Sequence, residues 1–318
     1  MKFGIHIGHM GGPIGEMRKL WKFADAKGFD WFSVSDHFQE SPPRGGEMDC
    51  YEAIATLTAA AMDTAHVRLG SGVYCVVYRN PGLLAKSLTT IDHLSNGRVD
   101  CGLGAGWHGV EAEAFGYPFP TIGPREDMLE EYAQIMRMLL DPEQRRANFE
   151  GKHFKLTNAP NNPKPLQPRI PIWIGGRGEK RTLRAAAKYA DGWNGAYIGP
   201  DDWKHKSDVL DQWCEREGRD PKSIMRAVNL GFYLGTDPKS VARAEEKFQS
   251  HFGGPASGDR ASRTGYLRGN VKDAHEMVEA FQALGCTRLS IAFREGPYDW
   301  EALEAFASDI VNKESRKS

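Results

Sequence analysis

The 318-residue chain carries 41 Lys and Arg against 42 Asp and Glu, a formal net charge of −1, with 40% apolar and 26% charged residues. That balance provides no global field for nucleic acid or an anionic membrane, so neither is expected as a partner, and any anionic ligand must be held by a local cluster. No apolar run approaches the roughly 20 residues of a membrane span, and the opening run is too short and too interrupted by His and Gly to read as a signal peptide.

In chain order, residues 2–7 read as a first strand. Ile14, Met17, Leu20, Trp21 and Ala24 then recur at helical spacing, and Gly28 stops the helix. Residues 31–34 form the second strand, with a helix near 52–62. Residues 67–77 are the third, followed by a helix over 82–94, and residues 98–103 the fourth, followed by a helix around 125–140. The stretch 141–168 breaks the rhythm with a possible hairpin at 148–156 and four prolines from Pro160 to Pro168. It reads as an insertion or lid.

The rhythm resumes with strand 170–174, helix 179–189, strand 192–196, helix 203–216, strand 225–234 and helix 241–252. A Gly/Ser/Arg-rich loop at 253–269 is expected to be mobile surface. Helix 274–284, strand 288–293 and a helix from Trp300 complete the chain. Eight strand–helix units with no composition shift predict one (β/α)8 barrel over residues 1–318; a doubly wound sheet with a second domain is the alternative. Cys50, Cys75, Cys101, Cys214 and Cys286 form no C-x-x-C pair, which fits a reducing cytoplasm.

Barrel chemistry sits on loops after the strands' C-terminal ends. There the sequence places His9, Asp36-His37, residues 104–108 and residues 175–178. Each alone reads as an ordinary turn; their shared rim does not. Gly104-Ala105-Gly106-Trp107-His108-Gly109 has dinucleotide-loop spacing. The ribose-binding acid expected about 20 residues on would have to come from the amphipathic helix bearing Glu126, Asp127, Glu130 and Glu131, so that reading fails. In Gly175-Gly176-Arg177-Gly178-Glu179-Lys180-Arg181 the glycines admit an anion to the backbone, the following helix adds its positive end, and three cations add charge. A plain glycine turn with solvated cations is the competing reading. His6 and His9 face opposite sides of a strand and no H-E-x-x-H is present, so no metal is expected.

Five segments together carry a family resemblance: Ser35-Asp36-His37-Phe38; residues 69–73 with Arg79-Asn80-Pro81; residues 102–107 with Glu111 and Phe115-Gly116; residues 171–184; and residues 190–194. In this order the chain resembles the luciferase-like flavin-dependent oxidoreductases, especially their F420-dependent branch. The resemblance implies a TIM barrel that binds coenzyme F420, with FMN as the alternative, and transfers hydride to or from a small organic substrate.

By the same resemblance, Asp36 and His37 lie beside the cofactor ring, with His37 moving a proton. Gly72 and Val73 match the site of a non-prolyl cis peptide behind the ring, while Gly104, Gly106, Trp107, Gly175, Gly176 and Arg177 line the cofactor. A homodimer and a separate flavin or deazaflavin reductase are the implied partners. The oligoglutamyl tail of the deazaflavin would favour the cations at 177–181. Sugar-phosphate dehydrogenases of the family carry glutamate where Trp107 stands, and a tryptophan where this chain reads Glu40-Ser41. Both departures point away from sugar phosphates, and leave Trp107 as the wall of an apolar or planar substrate site or as a core residue. An FMN-dependent two-component monooxygenase and a non-catalytic cofactor-binding barrel are the rival functions.

Overall fold

Strands that alternate with helices and carry near-continuous apolar runs must have both faces covered, as parallel barrel strands do. The computed structural model describes residues 1–40, 46–252 and 264–315. Its strands are β1 (Lys2–Gly11), β2 (Trp31–Val34), β3 (Arg68–Ser71), β4 (Tyr74–Cys75), β5 (Cys101–Gly104), β6 (Ala147–Glu150), β7 (Lys155–Ala159), β8 (Ile172–Gly175), β9 (Gly192–Ala196), β10 (Met225–Gly235), β11 (Tyr266–Asn270) and β12 (Arg288–Glu295). The main sheet runs β3-β2-β1-β12-β10-β9-β8-β5-β4 with every described pairing parallel. A single bridge, Leu69 to Val99, brings its ends together, so the barrel is nearly closed and the open-sheet alternative is excluded.

The expected third strand is divided. Residues up to Ser71 pair with β2, whereas Tyr74 and Cys75 pair with Leu103 and Gly104 of β5. The chain changes partner across Gly72–Val73, whose peptide bond is cis. A further strand was not expected: β11 lies within the predicted loop and pairs with residues 231–235 of β10. Residues 253–263 of that loop, with Arg260 and Arg263, lie outside the described residues.

The helices are α1 (Ile14–Ala26), α2 (Ala53–Asp63), α3 (Pro81–Ser95), α4 (Gly109–Ala114), α5 (Ile122–Leu140), α6 (Thr182–Tyr189), α7 (Pro200–Arg216), α8 (Pro238–Phe252), α9 (Val271–Ala283) and α10 (Trp300–Phe306). Local chemistry fixes their ends: the Asn80 side chain accepts from the amides of Gly82 and Leu83, and Pro81 supplies a helical φ in the first turn of α3. Apolar faces such as Met17, Leu20, Trp21 and Ala24 of α1 close over strand residues including Ile5, Phe32 and Leu289. The β6–β7 hairpin is tied to α5, because Glu131 accepts from the amides of Lys152, His153 and Phe154.

One end of the barrel is plugged by charge. Buried Asp100 accepts from Trp173 Nε1 at 2.9 Å and pairs with Arg68, while the Arg288 guanidinium lies over the rings of Trp31 and Trp173.

Candidate active site

At the other end, the C-terminal ends of the strands surround a cavity of about 480 Å³. Every expected site residue lines it: Asp36 and His37 beyond β2; Gly72 and Val73 between β3 and β4; Gly104, Gly106 and Trp107 from β5; Gly175, Gly176 and Arg177 from β8. Turns more than a hundred residues apart in sequence therefore converge on one space. His9, expected on the same rim, has a side chain outside the described set.

His37 is held by a residue to which the sequence reading gave no role. Its Nδ1 lies 2.8 Å from Oε2 of Glu111, in α4. Oε1 of Glu111 accepts from the amides of Phe38 and Gln39 at 2.6 and 3.1 Å, and the Tyr78 hydroxyl donates to Oε2 at 2.7 Å. Glu111 is 0% exposed. Burial alone would push its carboxyl up; His37, the Phe38 amide and Tyr78 outweigh burial and hold it at about 2. A carboxylate at that place fixes the imidazole's orientation.

Asp36 is differently placed. Its carboxylate is paired with Arg79, whose Nε donates at 2.9 Å, and it accepts from the Cys75 amide at 3.2 Å. Arg79 also bridges to Glu52. The lone pairs of Asp36 are thus occupied by fixed donors, which suits holding the rim together better than accepting a proton.

Trp107 is 58% exposed, so the core alternative for it is overturned. Its ring stacks on His108, with centroids 4.8 Å apart, and meets His37 at 5.4 Å nearly edge-on. Across the cavity floor, Nδ1 of His6 lies 2.9 Å from the Ser33 hydroxyl. Burial, with a smaller effect from His37, lowers His6 to about 4 and keeps it neutral at pH 7.

Close approach explains the glycines. A Cβ on Gly104 would collide with Cγ2 of Val73. Gly176 has φ +133°, a conformation an L-residue rarely adopts, and its amide is already bonded to the Asn194 carbonyl at 3.3 Å. The anion-binding expectation is revised accordingly. Residues 179–181 are not helical, α6 starting at Thr182, and Arg181 is drawn away to Asp127 and the Gly123 carbonyl. Of the three expected cations only Arg177 lines the cavity.

Two acceptors in the wall lack a partner: Oε2 of Glu126 and Oδ1 of Asn194 are buried and make no hydrogen bond. Burial raises the Glu126 carboxyl, and the Thr182 hydroxyl, donating to Oε1 at 2.7 Å, offsets only part of this. On sequence Glu126 looked like one acid among several on an amphipathic helix. Only the packing of α5 against the loop after β8 turns it inward.

Comparison with known proteins adds four findings. A family model described as luciferase-like monooxygenase matches residues 1–301. An uncharacterised protein of Mycobacterium tuberculosis is 35% identical over 186 residues, spanning 54% of this chain and 64% of that one; the chain thus covers under two thirds of that relative's length. The F420-dependent glucose-6-phosphate dehydrogenase of Intrasporangium calvum is 26% identical over 316 residues, covering 91% of each chain. Among solved structures, the coenzyme F420-dependent tetrahydromethanopterin reductase of Methanopyrus kandleri superposes with a TM-score of 0.79 over 98% of this chain and 99% of that one. At 21% identity that likeness establishes the fold.

Proposed function

The chain belongs to the luciferase-like monooxygenase family, and from that membership we propose that it is an oxidoreductase that transfers hydride between coenzyme F420 and a small organic substrate. The observation that carries this reading is the convergence of ten separately expected residues on one cavity whose wall holds the His37–Glu111 pair. The similarity to an F420-dependent dehydrogenase over 91% of both chains supports F420 over FMN.

The cavity fits such a cofactor on its own chemistry. Its glycines keep Cβ atoms out of a space bounded by Val73 on one side. The unpartnered acceptors Asn194 Oδ1 and Glu126 Oε2 call for ring N–H and hydroxyl donors, and Arg177 offers positive charge. When bound, F420 supplies a ring that gives or takes two electrons as hydride.

The chain's own groups do the rest. Glu111 and Tyr78 hold the imidazole still, and His37 passes a proton to or from the substrate oxygen through Nε2. Asp36, fastened by Arg79, keeps the loop after β2 against β4. Trp107, stacked on His108 and exposed beside His37, gives the cavity an aromatic wall, which favours a planar or apolar substrate and leaves no carboxylate there for a sugar. Family membership also supports a homodimer and a separate reductase that restores the cofactor; free cysteines support a cytoplasmic setting.

Titration of the purified protein with each cofactor tests the reading. Saturable binding of F420, seen as a change in its fluorescence, with FMN binding at least tenfold weaker, is expected. Tight FMN binding with oxygen uptake and no affinity for F420 would establish the monooxygenase instead, and binding of neither would remove the redox assignment.

A further inference from the structure

Tyr197 follows β9 in a left-handed conformation, φ +55°, that a bulky aromatic residue rarely adopts. Three contacts hold it there. Its amide donates to the Asn229 carbonyl of β10 at 2.9 Å, and its ring leans on Tyr266 of β11 with centroids 5.8 Å apart. Gly265 packs so closely on the Tyr197 carbonyl group that a Cβ there would collide with it, and Gly265 is itself tied to β10 by the Gly231 amide at 3.1 Å. Backbone strain of this kind persists only where the surroundings over-determine it, and it collects at ligand sites.

The strained turn aims the phenol across the barrel mouth. Tyr197 lines the main cavity, and its hydroxyl reaches Gly8 of β1, where a Cβ would stand 3.2 Å from the oxygen. β1 pairs with β2, whose following loop carries His37, so the hydroxyl extends from β9 toward the side of the cavity that holds the imidazole. Burial and Tyr266 push the phenol's pKa up against the opposing effect of Arg294, so it is protonated at pH 7. Among the described residues nothing hydrogen-bonds to this hydroxyl. It is a neutral donor without a protein acceptor, and a ligand that fills the cavity must supply one or leave the O–H stranded.

We propose that Tyr197 selects the substrate: its hydroxyl donates to an uncharged oxygen, carbonyl, hydroxyl or ether, that the substrate carries away from the carbon exchanging hydride. The proposal rests on the F420 reading above and narrows it from a small organic substrate to one with two oxygen functions, one at His37 and one at Tyr197. A neutral phenol suits a neutral acceptor, and Arg177, the one guanidinium or ammonium group among the lining residues, stands on the glycine loop after β8. Gly8 completes the subsite, since a side chain there would press on the hydroxyl.

Binding of ketone probes to the protein carrying oxidised F420 tests this without turnover, because oxidised cofactor has no hydride to give a ketone. The probes are the 3- and 4-methoxyacetophenones and the 3- and 4-ethylacetophenones, pairs alike in shape that differ by one ether oxygen, and the fluorescence of bound F420 reports their dissociation constants. One methoxy compound should bind about tenfold more tightly than its ethyl counterpart, the factor of one hydrogen bond to a half-buried donor. Tyr197→Phe, which removes only the oxygen, should abolish that difference and leave the ethyl compounds within about twofold of their original affinity. Gly8→Ala should shrink the difference by crowding the hydroxyl. Equal affinity within both pairs, a Tyr197→Phe variant that keeps the preference, or F420-loaded protein that binds none of the four overturns the proposal and leaves the F420 reading standing. Failure to bind F420 itself overturns both.

Discussion

Nδ1 of His37 and Oε2 of Glu111 stand 2.8 Å apart, although the two residues lie 74 positions apart and one sits on a loop while the other is in a six-residue helix. The pair is the only one among the described residues in which a cavity-lining imidazole is held by a wholly buried carboxylate. If His37 handles the proton in the slow step, His37→Ala lowers kcat by about 10²–10⁴. Glu111→Gln keeps the shape and loses the charge, and should cost roughly tenfold to a hundredfold in kcat by loosening the imidazole. Steady-state rates at saturating cofactor check both, and a His37→Ala enzyme with unchanged kcat removes His37 from the mechanism.

Acid should destabilise the fold in two overlapping windows. Glu111 is held at about 2, below its ordinary 4.5, so the unfolded chain takes up a proton first and stability is lost as pH falls from 4.5 to 2. His6 at about 4, below its ordinary 6.5, is neutral when folded and protonated when unfolded between those values, so stability is lost as pH falls from 6.5 to 4. Each contributes at most roughly 3 kcal/mol, from 1.36 kcal/mol per pH unit. Urea unfolding from pH 7 to 4 should show a shallower decline in His6→Gln than in the unaltered protein.

Gly104→Ala places a methyl group against Cγ2 of Val73 at the cavity wall. Displacing Val73 should destabilise the protein by about 1–3 kcal/mol and weaken cofactor binding. Thermal melts with and without F420 separate the two effects.

Asp100→Ala should cost about 3–5 kcal/mol of stability, because it strands the Arg68 and Arg288 guanidinium groups at the plugged end of the barrel. That end lies away from the cavity, so F420 affinity should change less than twofold. A large loss of affinity would mean that the plug is coupled to the site.

Trp107 is exposed, so Trp107→Ala should leave the melting temperature within about 1–2 °C. Loss of its stacking face should raise the substrate KM roughly tenfold with little change in kcat. An unaltered KM would place the substrate elsewhere.

The barrel was legible because strands such as β2 announce themselves as short aromatic and β-branched runs between turns, and both β2 and β9 have the bounds expected of them. β11 was not legible: Tyr266–Asn270 includes Arg268, Gly269 and Asn270, and its partner is the outer part of a strand that already has neighbours. The first three residues of the expected helix 179–189 looked helical by composition, but Arg181 and Trp213 pull that segment into contacts only the tertiary fold supplies. Glu111 and Glu113 sit two apart in one short helix. Nothing local distinguishes them, yet one is buried against Phe38 and Tyr78 and the other is exposed. For Asp36, its place on the rim was legible but its fastening to Arg79 was not, since an ion pair 43 positions apart has no spacing to read.

The bridge between Leu69 and Val99 is one stitch in a girdle otherwise sewn by continuous ladders, and Leu69 lies four positions before Val73 in the chain. Breathing of the barrel should therefore begin at this seam, and amides of residues 98–100 should exchange with solvent sooner than those of β1 and β12, which share the longest ladder. A molecule lodged against Val73 would act as a clasp on the whole ring, slowing exchange in strands it never touches.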